Sequence, residues 1–130
     1  MKIALVCNGS YARALIGAAL AKDIFKDTEI IAVGSIEGET PDELTLKVLE
    51  EDGLNLDGIT QTNLFEMEFD LPYALIVGCD EGGCPLVFAD NIVEWDFIKN
   101  PKGEGIEVYR EAKVQLKEEL KKFYMETFEN

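Results

Sequence analysis

Two groups of residues in this sequence have the types and spacing that chemistry requires. In the first, Cys7, Asn8, Gly9, Ser10, Tyr11, Ala12 and Arg13 put a cysteine and an arginine at either end of a short polar loop. A loop of this length can curl around one tetrahedral oxyanion, its backbone N–H groups aimed inward beside a helix N-terminus. Arg13 can reach back and clamp two oxygens with its planar fork. The same positive field favours the thiolate of Cys7, which is then a nucleophile toward phosphorus or arsenic. The competing structural interpretation makes Cys7 a buried apolar residue at a strand end and Arg13 a surface cation. The second group is Cys79, Asp80, Glu81, Gly82, Gly83, Cys84 and Pro85, a glycine-rich segment with a cysteine at each side.

Composition narrows the chemistry. The chain has no histidine, which excludes Ser-His-Asp and Cys-His catalysis, and its three cysteines make a zinc site improbable, so no metal and no cofactor is expected. An odd number of cysteines argues against a disulfide scaffold and leaves nucleophilic or redox chemistry open. Twelve basic against twenty-six acidic residues give a net charge of −14, so nucleic acid and anionic membranes are poor partners. Any anion that binds must be drawn in locally by oriented N–H groups and one well-placed cation. No apolar run approaches the roughly 18 residues a membrane helix needs. Asn8, Gly9, Ser10 and Arg13 interrupt the apolar N-terminal stretch where a secretory signal must be continuous, so a cytoplasmic chain is expected.

The elements that must position these groups read as alternating strands and helices in one domain, residues 1–130. KIALVC (2–7) suits a buried parallel strand opening into the Cys7 loop. Ile16, Leu20 and Ile24, with Ala14, Gly17, Ala18, Ala19 and Ala21, make a helix able to pack closely on a sheet. EIIAVG (29–34) is a second strand. Thr40, Pro41, Asp42 and Glu43 mark the start of a helix that runs to about Asp52 and stops at Gly53. Thr62 caps a short helix through Phe65 and Met67, YALIVG (73–78) is the central strand, and NIVEW (91–95) is a fourth. After Asn100-Pro101, Ile106, Tyr109, Ala112, Leu116, Leu120 and Phe123 step by three or four along a closing amphipathic helix. The expected architecture is a three-layer α/β/α fold with a four-stranded parallel sheet, flavodoxin-like, with helices on both faces. Ligands in such folds sit beyond the carboxyl ends of strands, where Cys7 and Cys79 both fall.

On these residues the sequence resembles the low-molecular-weight protein tyrosine phosphatases and, more closely, the thioredoxin-coupled arsenate reductases. Cys7, Gly9 and Arg13 fall where that superfamily's C-x-G-N-x-C-R-[ST] loop has its nucleophile, glycine and arginine. The resemblance continues through Ala32-Val33-Gly34 and Gly53-Leu54. Cys79 and Cys84, the latter just before Pro85, look like the reductase segment in which one cysteine ends the third strand and a second follows it. The phosphatases lack that pair. Glu94-Trp95-Asp96, Asn100-Pro101 and Gly105-Ile106-Glu107 resemble the reductases' acidic-aromatic and D-P segments.

The resemblance implies a phosphatase-type fold and a relay of sulfur attacks. Arsenate binds to residues 8–13, Cys7 attacks arsenic, Cys79 attacks Cys7, and Cys84 attacks Cys79, leaving a Cys79–Cys84 disulfide for a thioredoxin-like reductant. Five peptide steps can separate these two Cα atoms by about 17 Å when extended, a disulfide needs them within about 7 Å, and Gly82 and Gly83 supply the freedom to close. The alternative is a glycine-rich turn holding two reduced thiols. The sequence also departs from the family pattern. Ser10 stands for the loop asparagine, Ala12 for the inner cysteine, Ala14 for the hydroxyl residue after the arginine, and Asn100 for the aspartic general acid. An amide cannot protonate a leaving oxygen. Asp96 is the nearest alternative acid in sequence, and its competing role is that of a solvated surface carboxylate. Three readings follow: an arsenate reductase, a phosphatase in which Tyr11 lines the entrance and Asp96 gives the proton, and a non-catalytic oxyanion-binding relative.

Overall fold

The computed structural model describes residues 1–36, 38–67, 70–79 and 83–128. Its elements in chain order are β1 (Lys2–Asn8), α1 (Ala12–Ile24), β2 (Glu29–Gly34), α2 (Glu43–Glu50), β3 (Thr60–Asn63), a 3-10 turn (Leu64–Glu66), β4 (Leu71–Cys79), β5 (Ala89–Glu94) and α3 (Ile106–Phe128). The five strands form one parallel sheet in the order β3-β2-β1-β4-β5. The sheet therefore has five strands rather than four. The added strand is β3, in the stretch where Thr62 was expected to cap a helix. Asn63 is the residue that caps there, accepting from Phe65 N–H at 2.9 Å, and the turn that follows is only three residues long.

Chain direction explains which face each connection covers. From β1 through β2 to β3 the chain moves one way across the sheet, and right-handed crossovers place α1 and α2 on one face. From β3 through β4 to β5 it moves the other way, so the intervening segments cross the opposite face. Residues Ile3, Leu5, Ile30, Ala32, Leu75 and Val77 accordingly pack under α1, α2 and α3. Ala4, Val6, Ile31, Val33, Ala74 and Ile76 pack on the other side against Leu64 of the 3-10 turn and Val87. The layered α/β architecture thus stands, with full helices on one face and the single 3-10 turn on the other among the described residues.

Helix α1 is buried from Ala12 to Ala21 because it lies between the sheet and α3. Its small residues permit that approach: a Cβ on Gly17 would come within 3.3 Å of Leu5 Cδ1. Helix α2 is capped by Asp42, rather than by Thr40, with the Asp42 carboxylate accepting from Thr45 N–H at 2.8 Å. It ends at Glu50, where Gly53 N–H bonds Glu50 O (3.0 Å) and Leu54 N–H bonds Leu49 O (2.9 Å). Gly53 at φ 70° makes this a left-handed cap, as expected from its glycine. On α3, Tyr109, Ala112, Leu116, Leu120 and Phe123 are buried, matching the three-four periodicity. Among the described residues no helix is long and apolar enough to cross a membrane.

The junction of α2 with α3 carries a prediction. Lys113 Nζ donates to Val48 O at 2.7 Å, one of the last carbonyls of α2, and lies 3.4 Å from Glu51 Oε1. Arg110 Nη2 donates to Glu51 Oε2 at 2.6 Å. The hydrogen bond from Arg110 is the main reason that the Glu51 carboxyl is held down at about 2, below its usual 4.5. A depressed folded-state value means that this carboxylate stabilises the fold above pH 4.5 and that the contribution disappears as pH falls toward 2. Thermal melts across pH 7 to 2 are therefore expected to show a smaller acid-dependent loss of Tm in Glu51→Gln than in wild type. Equal slopes would show that the cluster has no such role.

Candidate functional site

Strand order reverses direction at β1, whose neighbours are β2 and β4, so the switch point, where folds of this kind place their ligands, lies beyond the carboxyl ends of β1 and β4. Cys7 and Asn8 end β1, and Gly78 and Cys79 end β4. In register Cys7 pairs with Gly78 and Asn8 with Cys79, after a bulge between Val6 and Cys7. Before the bulge Val6 pairs with Ile76, so Val77 is the extra residue on β4. Because successive side chains alternate faces, this insertion turns Gly78 to the helix-covered face, beside Cys7, and Cys79 to the other. Cys79 indeed packs against the second core cluster, whereas Cys7 belongs to the first.

The loop from Asn8 to Tyr11 is shaped by Gly9, whose φ of 137° disfavours any side chain. It is tied on both sides: Ser35 N–H donates to Gly9 O at 3.1 Å from the end of β2, and Asn8 Nδ2 donates to Gly83 O at 2.8 Å toward the cysteine pair. Tyr11 then occupies the N-cap position of α1, which puts Arg13 second in the helix.

Cys7 is fully buried, and Arg13 is only 2% exposed. Arg13 turns inward, where Nη1 donates to Ile98 O at 2.9 Å. Its guanidinium lies flat on the backbone of Gly78, the residue paired with Cys7: a Cβ there would sit 2.3 Å from Arg13 Cζ and 2.7 Å from Nε. Arg13 thus packs on the residue that pairs with Cys7 across β1 and β4. The contact of Arg13 with Gly78 was not anticipated from the sequence, because a glycine in an apolar run signals close approach only once the approaching group is known. The Gly78→Ala variant is expected to displace the guanidinium and weaken phosphate binding by at least about tenfold, the scale of one lost charge-assisted hydrogen bond. Calorimetric titration with phosphate, beside a thermal melt to confirm folding, checks it. An unchanged affinity would remove Gly78 from the site.

Other expected residues fall differently. Tyr11 lines a cavity together with Ser35, Gly38, Asn63, Phe65 and Glu66. It is 4% exposed, stacks on Gly34 at a distance that leaves no room for a Cβ, and donates its hydroxyl to Thr62 O at 3.1 Å. Burial pushes its phenol up from the usual value. Ser10 and Ala12 are buried, with Ala12 N–H donating to Ser10 Oγ at 3.3 Å. Asp96 is exposed on the turn after β5. Asn100 Oδ1 accepts from Lys102 N–H at 3.2 Å and so organises the turn around Pro101.

Cys79 and Cys84 are joined by a disulfide with Cα atoms 4.4 Å apart, while Cys7 remains a thiol. Cys84 is exposed and Gly83 takes φ 81°. Gly82, to which the same freedom was assigned, lies with Asp80 and Glu81 outside the described residues. Glu39 and Lys102 were not anticipated. Glu39 reaches the loop from the β2–α2 connection, accepting from Ser10 Oγ–H and Tyr11 N–H at 2.8 Å each, and pairs with Lys102 at 2.8 Å. Among the described residues no group of histidine, cysteine and carboxylate side chains is arranged to hold a metal ion.

A parallel α/β sheet with a cysteine-to-arginine loop at its switch point defines a class, and comparison with solved structures gives that class its name. The chain superposes on an arsenate reductase from Archaeoglobus fulgidus with a TM-score of 0.75 and 26% identity, covering 93% of this chain and 97% of that one. It matches an arsenate reductase in the phosphate-binding state with a TM-score of 0.81 at 19% identity, over 96% and 97% of the two chains. It also matches the tyrosine phosphatase Wzb from Escherichia coli K30, in complex with sulphate, with a TM-score of 0.69 at 18% identity, over 96% of each. No protein-family model and no curated protein sequence matches. The fold is that of the low-molecular-weight tyrosine phosphatase superfamily, and its structural neighbours include both arsenate reductases and phosphatases.

Proposed function

We propose that the protein is an arsenate reductase working by a three-cysteine relay with a thioredoxin-like dithiol as electron donor. The observation that carries this reading is the Cys79–Cys84 disulfide at the end of the strand paired with the Cys7 strand. A phosphatase needs only the loop cysteine and has no use for a second and third sulfur.

The relay balances as follows. Arsenate enters the loop, where Arg13 and the backbone amides of residues 8–13 hold its oxygens. Cys7 thiolate attacks arsenic and one oxygen leaves as water, giving a sulfur–arsenic(V) bond. Cys79 thiolate then attacks Cys7 sulfur. A Cys7–Cys79 disulfide forms, the sulfur–arsenic electron pair goes to arsenic, and arsenite departs. Cys84 thiolate attacks Cys79, releasing Cys7 thiolate and forming the Cys79–Cys84 bond, which the dithiol donor reduces with two electrons. A Cys79–Cys84 bond with Cys7 outside it is the arrangement this scheme expects after the last attack.

Reduction has a structural consequence in this scheme. Cys79 packs on the sheet face opposite Cys7, so reaching Cys7 requires the final β1–β4 pair, Asn8 with Cys79, to open. That pair is the last of its ladder, and ladder ends open at little cost. Hydrolysis of an aryl phosphate, by contrast, asks for a proton donor, and removing one typically costs about 10²–10⁴ in rate. Asn100 cannot supply that proton.

The reading is tested by arsenate-dependent NADPH consumption in the presence of thioredoxin and thioredoxin reductase, beside aryl phosphate hydrolysis by the same preparation. Arsenate-dependent turnover well above phosphatase turnover is the expected outcome. Phosphatase activity alone assigns the protein to the second branch, and phosphate protection of Cys7 from alkylation without either activity assigns it to the non-catalytic binders.

A further inference from the structure

An anion already stands at the loop, and it belongs to the chain itself. The Glu39 side chain is 9% exposed. Its Oε1 accepts from both Ser10 Oγ–H and Tyr11 N–H at 2.8 Å, and its Oε2 pairs with Lys102 Nζ at 2.8 Å. Gln61 Nε2 tethers the same residue by donating to its backbone oxygen at 2.8 Å. Tyr11 is the N-cap of the thirteen-residue α1, so its amide opens onto the positive end of that helix. Ser10 hydroxyl links the next amide into the arrangement, accepting from Ala12 N–H while donating to Glu39. In a chain of net charge −14, a carboxylate is held against the donors that an entering oxyanion needs.

Two negative groups cannot share those donors, since their repulsion at contact is strong and incompletely screened around a side chain only 9% exposed. We infer that Glu39 is a placeholder for the substrate anion: oxyanion binding displaces its carboxylate, and Ser10 Oγ–H, Tyr11 N–H and the Lys102 ammonium pass to the substrate. This rests on reading the Cys7–Arg13 loop as the oxyanion site. Lys102 then becomes a second cation of that site, delivered by the turn after Asn100-Pro101. Displacing a carboxylate also sets the ligand class. Doubly charged tetrahedral oxyanions such as arsenate and phosphate gain enough from two cations to do so, and singly charged anions gain less. The placeholder meanwhile keeps the loop amides satisfied between turnovers.

Titration calorimetry with inorganic phosphate, on wild type, Glu39→Ala, Glu39→Gln and Lys102→Met, tests this, with thermal melts for each. A placeholder seated nine-tenths of the time or more lowers apparent affinity by its vacated fraction, so Glu39→Ala is expected to bind phosphate about tenfold tighter or better. Glu39→Gln is expected to tighten binding by less, since its amide oxygen still accepts from the same donors. It also carries the test if the alanine variant does not fold. Lys102→Met is expected to weaken binding. If Glu39 merely braces the loop, both Glu39 variants bind phosphate equally or more weakly, and the inference is overturned. Absence of phosphate binding in every form overturns it too. Arsenate turnover of the wild type, measured in parallel, separates the two claims. Turnover without tightening discards the placeholder and leaves the relay, and tightening without turnover does the reverse.

Discussion

Cys7→Ser is expected to reduce arsenate-dependent turnover by on the order of 10⁴-fold or more, to background. Loss of a covalent nucleophile removes the whole reaction path, and the neighbouring groups then have nothing to act through. The measurement is arsenite release in a single-turnover mixture of pre-reduced protein and arsenate. A hydroxyl is far less nucleophilic than a thiolate at neutral pH, so Arg13 and the loop amides cannot compensate. Cys7 is also part of the core, and a buried hydroxyl there costs about 1–3 kcal/mol if it finds no partner. The variant's thermal melt must therefore be recorded, so that lost activity is not mistaken for lost fold. Phosphate binding should persist in the folded variant, because the donors that hold it are main-chain amides and Arg13. A Cys7→Ser protein that releases arsenite at the wild-type rate would end the proposed role of this residue.

The second large effect concerns Cys84. In the relay this exposed cysteine acts only after arsenite has left, so Cys84→Ser is expected to release a single equivalent of arsenite per chain and then stop. The stalled protein should contain a Cys7–Cys79 disulfide, found by peptide mapping without reductant. The outcome also tests the motion required of Cys79. The wild-type disulfide holds Cys79 on the sheet face opposite Cys7, so a mapped Cys7–Cys79 bond would demonstrate that the end of β4 opens when its cysteine is reduced. If Cys84→Ser instead continues through many turnovers, the Cys79–Cys84 disulfide is not an intermediate. The reductant must then act directly on Cys7 or Cys79.

Placed together, these experiments separate binding from chemistry. Gly78, Arg13, Ser10, Tyr11, Glu39 and Lys102 are argued to govern how an oxyanion is held. Cys7, Cys79 and Cys84 are argued to govern what happens to it. A fault in the first group should appear in phosphate affinity, whereas a fault in the second should leave that affinity intact.

Much of this arrangement was legible in the sequence, and the legible part is local. Strand β2 was read with its observed ends because EIIAVG is an apolar run between polar turns. The core face of α3 followed from apolar residues recurring every third or fourth position, since a helix repeats every 3.6 residues. The Cys7–Arg13 loop was visible because its glycine, its helix start and the cysteine and arginine at its ends all lie within seven residues. Strand β3 was not visible. Thr60, Gln61, Thr62 and Asn63 have no buried alternation, and they form a strand because the main chain of Ile31 to Gly34 presents an edge to pair with.

What the sequence determined by itself is the parallel α/β class, the cysteine-to-arginine loop at the end of β1 and the presence of a cysteine pair near the end of β4. Tertiary structure decided the rest. A one-residue bulge turned Gly78 toward Arg13 and Cys79 away from Cys7. Packing carried Glu39 from 28 residues beyond Tyr11, and Lys102 from 63 beyond Glu39, onto the loop donors. Periodicity and turn chemistry act between near neighbours and can be read along the chain. Register, bulges and the landing place of a distant carboxylate depend on the summed packing of every layer.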